Sequence, residues 1–298
     1  MKISCCPGCL APLGSSFGKG AEVVTVNGDE TFVQPAYEVV GCPRCGLLYK
    51  TTFLDAADLD RYYRKTDFTK WETKGFYPTE RATLKILRQL PAGAAVLDFG
   101  CSSGRLLAAL GPAYHRFGIE PNAQAANTAA AKGIKILQSP EDETFDAIVL
   151  ADVFEHLYAP TEMLERLLAR LKPNGWLILS TGDGDSAPAR QDLANYWYLR
   201  NVEHLIMLTR QYSGWFAEKN GLQIRRWLQM SHYDASLSNR IWQTARWQAY
   251  LAFHGRTRPA LYPLIRIMPV LSKARHWTLP PLYTCGRDHV VAAMQKVS

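Results

Sequence analysis

The chain has 298 residues, 47% of them hydrophobic and 20% charged, with a formal net charge of +7. That hydrophobic content is ample for a core, the charge content is ordinary, and the length suggests about two domains. No apolar run reaches the roughly 18 residues a spanning helix needs, because Pro263, Arg266 and Pro269 interrupt the best candidate, Leu261 to Leu271. Lys2 is not followed by an apolar leader segment before the first cysteines, so a soluble cytoplasmic protein is expected.

Five of the seven cysteines precede residue 46. Cys6-Pro7-Gly8-Cys9 and Cys42-Pro43-Arg44-Cys45 are matching turns, each able to aim two thiolates at one point. Two such turns complete a tetrahedral four-thiolate zinc site, which is closed and therefore structural. A pair of disulfides is the alternative, and a reducing compartment argues against it. Cys5 competes with Cys6 for one ligand position. Between the turns, Glu22 to Val26 and Pro35 to Val40 read as the strands of a hairpin around Asn27-Gly28-Asp29. Residues 1–50 are thus expected to form a small ribbon-like zinc-binding domain. Cys101 and Cys285 read as buried small hydrophobes.

Residues 51–78 form a linker dense in aromatics: Tyr62, Tyr63, Phe68, Trp71, Phe76 and Tyr77. It can pack the small domain onto the large one, or cover a ligand site, or both. A helix is predicted at Thr79 to Leu90. Strands then follow at 94–99, 115–120, 134–137, 145–151 and 176–181, with helices at 103–110, 122–132 and 161–171. The last helix has an apolar stripe of Met163, Leu164, Leu167, Leu168 and Leu171, and Lys172-Pro173-Asn174-Gly175 should stop it. Alternation at this pitch means a parallel sheet with helices on both faces.

The stretch Val96 to Leu107, VLDFGCSSGRLL, combines a buried strand, a tight glycine turn and the start of a helix. Glycines there let a ligand approach backbone that a side chain would cover, and free helix N–H groups face an anionic group. Glu120 follows Gly100 by twenty residues, where nucleotide-binding units place an acid on the ribose hydroxyls. The turn lacks the second and third glycines of a nicotinamide fingerprint. Asp98, Glu120 and Asp152 all fall at strand carboxyl ends, which points to one shared site.

This turn resembles motif I of the class I S-adenosylmethionine-dependent methyltransferases, D-x-G-C-G-x-G, with Ser102 where glycine is commonest. FDAIVLADVFEHL, from Phe145, resembles that family's fourth strand and following loop. LERLLARLKPNGWLILST, from Leu164, resembles its next helix, turn and fifth strand. The resemblance covers roughly residues 75 to 230. It implies an α/β fold: a Rossmann-like, doubly wound, mostly parallel seven-stranded sheet over residues 79–298. Leu222 to Met230 and Asp288 to Gln295 would be the sixth and seventh strands, with an insertion at about 231–285. It also implies S-adenosyl-L-methionine as cofactor, held by Asp98, Phe99, Gly100, Cys101, Ser102, Gly104, Glu120, Pro121, Asp152 and Val153.

Methyl transfer needs alignment, and a base only where the nucleophile must lose a proton. A histidine side chain suits that work, and His156 and His204 are the candidates, although His156 can equally line the cofactor site. The adjacent Glu203-His204 resembles the base pair of zinc-domain-bearing sugar C-methyltransferases. Asp183-Gly184-Asp185 is either a metal-binding pair of acids or a flexible loop. Residues 186–298 carry 15 Lys+Arg against 5 Asp+Glu, and six of the eight tryptophans. A basic, aromatic region suits a phosphorylated or nucleotide-linked small molecule, a nucleic acid or an anionic membrane surface, or it is simply a solvated face. The expected acceptor is a sugar, sugar nucleotide or natural-product intermediate. RNA is the alternative, but residues 1–70 carry 8 Lys+Arg against 8 Asp+Glu, too neutral for an RNA-gripping finger. A non-catalytic binding protein is opposed by the intact Asp98, Gly100, Gly104 and Glu120 set.

Overall fold

A computed structural model describes residues 1–67, 69, 75–255 and 262–297. Phe68 and Trp71 of the aromatic linker lie outside the described residues. In chain order the elements are β1 (Ser15–Gly20), β2 (Val23–Asn27), β3 (Glu30–Gln34), β4 (Tyr37–Gly41), β5 (Leu48–Lys50), α1 (Ala56–Lys65) and α2 (Pro78–Leu87). Next come β6 (Ala95–Phe99), α3 (Arg105–Leu110), β7 (His115–Ile119), α4 (Ala123–Ala131), β8 (Lys135–Ile136), β9 (Phe145–Ala151), α5 (Pro160–Leu168) and β10 (Leu171–Gly182). The chain continues with α6 (Ala187–Gln191), β11 (Ile206–Met207), α7 (Arg210–Lys219), β12 (Leu222–Met230), α8 (Leu237–Phe253), α9 (Tyr262–Ile267), α10 (Pro269–Ser272) and β13 (His289–Lys296).

Seven strands form the main sheet in the order β12-β13-β10-β9-β6-β7-β8. All run parallel except β13, which is antiparallel to both its neighbours. The central strands are covered on both faces, so Val96, Leu97, Ile148, Val149, Leu177 and Ile178 are fully buried. Such strands read as continuous apolar runs rather than alternating ones. In α5 the buried Leu164, Leu167 and Leu168 form the expected stripe, and Pro160 starts the helix where its missing N–H costs nothing. The expected α/β fold with a seven-stranded, mostly parallel sheet is thus present. None of the described helices is long and apolar enough to cross a membrane.

Two local expectations are corrected. The predicted hairpin partner of the first small strand is wrong: β2 pairs with β3, from Val23↔Gln34 to Asn27↔Glu30. Gly28, at φ 64, allows a two-residue turn, so β2 closes onto the very next residues. The Pro35–Val40 segment instead becomes β4, paired with β1 and β5. Lys172 to Gly175 does not separate helix from strand. It lies within β10, where the register with β9 slips between Leu171 and Trp176, and α5 has already ended at Leu168.

The small N-terminal sheet, β1-β4-β5-β11, takes its last strand from residues 206–207. Cys6, Cys42 and Cys45 share one apolar cluster with Leu47, Phe154, Leu164, Tyr212 and Phe216. The segment between β12 and β13 carries helices α8 to α10. Trp247 and Tyr250 of α8 pack with Tyr37, Leu193, Tyr196 and Tyr198, anchored by Trp247 Nε1–H to Gln191 (2.7 Å) and Tyr250 O–H to Asp192 (2.7 Å).

Candidate functional site

A cavity of about 300 Å³ opens at the carboxyl ends of β6 and β9. The glycine turn after β6 forms its floor. Gly100 has φ 82, and a Cβ there would sit 2.5 Å from Val153 Cγ2. Gly104 has φ 72 and packs so closely on Ile134 that no Cβ fits. Ser102 has φ 48, a left-handed conformation that explains why glycine is commoner at this position. The backbone N–H of Ser102 donates to Glu120 Oε2 at 2.9 Å and ties this turn to the end of β7.

Acids surround this floor. Asp98 is 3% exposed, and its Oδ1 has no hydrogen-bond partner among the described residues. Burial, then the charges of Glu80 and Glu120, push its pKa up to about 7. Glu120 accepts from Asn122 N–H (2.8 Å) as well as from Ser102, and burial raises its pKa against those bonds. Arg105 at the first turn of α3 pairs with Glu80 at 2.6 Å and lies over the Phe76 and Tyr77 rings. The cavity is lined by five carboxylates (Glu80, Asp98, Asp152, Glu155, Glu203) and one guanidinium, Arg105. Among the described residues, none of the lysines or arginines of the last third lines it.

The opposite wall holds the two candidate bases. His156 Nδ1–H donates to the Glu203 carbonyl (3.0 Å), and His204 Nδ1–H donates to the Tyr198 carbonyl (2.8 Å). A carbonyl can only accept, so in each ring Nε2 keeps its lone pair. The rings meet edge to face, 5.0 Å between centroids. Burial, with His156 and Lys50 beside it, holds the His204 pKa well below its ordinary value. The carboxylate close to both imidazoles is Glu155, not Glu203: one atom from each of Glu155, His156 and His204 lie within 4.8 Å of one another. Glu155 accepts from Thr181 Oγ1–H (2.8 Å) and from the Tyr198 hydroxyl. Lys50 is buried, donates to the Asn201 carbonyl at 2.8 Å, and burial lowers its pKa to about 7.

Not every expected site residue lines the cavity. Phe99, Gly104, Glu120, Pro121 and Val153 do not line the cavity, whereas Asp98, Gly100, Cys101, Ser102, Asp152, His156, Glu203 and His204 do. Asp183 and Asp185 form a tied-down turn: Asp183 accepts from Gln229 and from Asp185 N–H, and Asp185 pairs with Arg190. In the linker, Tyr62 packs on Phe32 of β3, Tyr63 on His156, and Tyr77 stacks on His232 at 4.7 Å and lines the cavity. Sequence reasoning missed Glu80, His232 and His289 as lining residues. A usable signal existed for His289: β13 is antiparallel, so its amino end meets the carboxyl ends of the others.

Away from the cavity, Cys6, Cys9, Cys42 and Cys45 place their sulfurs within 4.8 Å of one another. Cys6–Cys45 is 3.6 Å and Cys9–Cys42 is 3.4 Å, close to the ~3.8 Å edge of a tetrahedron with ~2.3 Å metal–sulfur bonds. All seven cysteines are free, so the disulfide alternative is not realised, and Cys5 stands outside the cluster. Backbone N–H groups of Gly8 and Cys45 point at the Cys6 and Cys42 sulfurs, as thiolate ligands need.

A ubiquinone biosynthesis O-methyltransferase of Xanthomonas axonopodis pv. citri is 34% identical over 105 residues, covering 30% of this chain and 44% of that protein. Its counterpart from Paraburkholderia xenovorans is 30% identical over the same length, with the same coverage. The match thus spans less than half the length of these curated relatives. A solved complex of a Haloferax volcanii methyltransferase with its activator contains a chain that superposes with a TM-score of 0.51. It is 14% identical, over 81% of this chain and 98% of that one. The family model described as "Methyltransferase domain" matches residues 53–226, more than half of the sequence, and the chain belongs to that family.

Proposed function

We propose that the chain transfers a methyl group from S-adenosylmethionine to an uncharged, hydroxylated small molecule held in the cavity. The observation that carries this reading is the pairing, across one cavity, of the glycine-turn floor with two imidazoles whose Nε2 atoms are free to accept a proton. The cofactor supplies, when bound, an electrophilic methyl carbon on a positively charged sulfur. Asp98 fits that charge, since its buried Oδ1 has no hydrogen-bond partner among the described residues. Gly100 and Gly104 keep the turn free of side chains. Glu120 spends one lone pair per oxygen on Ser102 and Asn122 and keeps others for ribose hydroxyls. His204 takes the acceptor's proton, or His156 does so beside it, with Glu155 stabilising the imidazolium.

The acceptor preference follows from charge. A lining rich in carboxylates repels a phosphate or an RNA backbone and tolerates a neutral alcohol, phenol or sugar hydroxyl. The relatives named as ubiquinone biosynthesis O-methyltransferases point to oxygen as the methylated atom. We further assign residues 1–50 as a zinc-binding unit with one structural Zn2+ on Cys6, Cys9, Cys42 and Cys45, 51–78 as linker and cover, and 79–298 as the catalytic unit. The test is calorimetry with S-adenosylhomocysteine, followed by labelled methyl transfer to hydroxylated small molecules and to RNA in parallel. Label in a small molecule supports the proposal. Label in RNA alone, or no binding of the cofactor product, overturns it.

A further inference from the structure

We propose that Asp152, His232 and His289 bind one divalent first-row transition-metal ion in the wall of the cavity. The three come from separate strand ends: Asp152 directly after β9, His232 just past β12, and His289 at the start of β13. One ligand atom from each lies within 4.8 Å of the other two. His289 is 1% exposed, and neither of its ring nitrogens has a hydrogen-bond partner among the described residues. Nδ1 of His232 and Oδ1 of Asp152 are likewise buried without one. Buried polar atoms without partners are costly, and four gathered in one place point to a ligand that would satisfy them. Asp152 also holds a left-handed φ of 52, a strain that brings its carboxylate to this point.

The spacing separates a metal from a simple ion pair. His289 Nε2 is 3.9 Å from Asp152 Oδ1, and His289 Nδ1 is 3.6 Å from Asp288 Oδ1. Both are too long for hydrogen bonds. Two ligand atoms on one ion, each at ~2.1 Å, stand up to about 4.2 Å apart, which includes the Asp152–His289 distance. Asp288, whose Oδ1 accepts from the His232 backbone N–H at 2.8 Å, stands 3.6 Å from His289 Nδ1, so its charge favours an N–H on that side and leaves Nε2 for the metal. Two imidazoles and a carboxylate leave coordination positions open. All three residues line the cavity, so those positions face whatever it holds. The other cluster of two histidines and an acid differs, because its Glu155 is already engaged by Thr181 and Tyr198.

The metal site stands on these side chains alone. Its use to hold an acceptor hydroxyl, lowering that group's pKa, rests on the proposed function. The test therefore omits methyl donor and acceptor. Full-length protein carrying one zinc ion per chain is titrated with Co2+, followed by calorimetry and visible absorption. One further equivalent is expected, with d–d bands of nitrogen and oxygen ligation and no thiolate charge-transfer band. His232→Ala and His289→Ala should each abolish that equivalent, and Asp288→Asn should weaken it about 10–100-fold. Circular dichroism verifies that each variant is folded, and His232→Ala, at the less buried position, decides the matter if His289→Ala is not. Absence of the extra equivalent, its persistence in His232→Ala, or appearance of the thiolate band overturns the proposal. None of these outcomes depends on whether the chain methylates anything.

Discussion

The Nδ1–H of His204 donates to the carbonyl oxygen of Tyr198 at 2.8 Å, and the two rings lie 4.1 Å apart. This contact sets the tautomer and leaves Nε2 as the basic atom. His204→Ala should lower turnover roughly 10²–10⁴-fold if the ring is the base. His204→Asn can still donate toward Tyr198 but cannot accept a proton at the same place, so it should be as slow and better folded. Affinity for S-adenosylhomocysteine should stay near the parent value in both. Steady-state kinetics beside calorimetry checks this; normal turnover in either variant would assign the role to His156.

Asp98 predicts how cofactor affinity varies with pH. Its folded-state pKa is raised to about 7, chiefly by burial, so the ligand-free protein is half protonated there. A bound sulfonium or ammonium group favours the carboxylate. Affinity should be highest above about pH 7 and fall up to tenfold per unit below it. Asp98→Asn should bind more weakly and show a flat profile. The same shift has the opposite sign for stability. A raised acid pKa means the folded chain holds more protons than the unfolded one, so this group's contribution to stability declines as pH rises from about 4 to 7. A parent profile that stays flat across calorimetric titrations at several pH values would remove Asp98 from the cofactor site.

Glu120 accepts two backbone N–H bonds, one from the glycine turn and one from the start of α4. Glu120→Ala leaves both donors without that carboxylate and loosens the turn. Cofactor-product binding should weaken by about 2–4 kcal/mol, since bonds to a charged group contribute about 1.5–3 kcal/mol each. Unchanged affinity would show that the carboxylate serves the fold alone.

Gly100→Ala tests the close approach at the floor. The added methyl would lie 2.5 Å from Val153 Cγ2 at a backbone angle of φ 82. The left-handed conformation alone costs roughly 1–2 kcal/mol, before any movement of Val153. A lower melting temperature is expected, with cofactor binding lost or greatly weakened. Retention of both would mean that the turn relaxes freely.

The four-cysteine cluster predicts one zinc ion per chain bound by sulfur. Cys45→Ser should release it. Because Cys6, Cys42 and Cys45 share an apolar cluster with Phe154 and Tyr212, the loss should also lower the melting temperature of the whole chain. Elemental analysis and calorimetric melting check both parts. A full complement of zinc in the variant would refute the ligand assignment.

Much of the site was legible because it depends on local chain geometry. The strand, glycine turn and helix of residues 96–107 sit one after another, and their glycines need φ values near +72 to +82 that few other residues tolerate. The cysteine turns were legible for the same reason. The hairpin was misread because two adjacent strands of similar character compete for one partner, and only the two-residue turn at Gly28 decides between them.

The sequence by itself determined the alternation of buried strands and striped helices, the glycine floor and the two thiolate turns, since each is a pattern within a few dozen residues. Tertiary structure alone decided what faces the cavity. Glu155 rather than Glu203 lies beside both imidazoles, because the loop after β9 and the turn before β11 cross there, 47 residues apart at His156 and Glu203. Asp152, His232 and His289 gather for a similar reason. The single antiparallel strand β13 brings its first residue to the end of the sheet where β9 and β12 finish. Periodicity reports which face of an element is buried, but the meeting of strand ends depends on sheet order and direction, which arise only when distant segments pair.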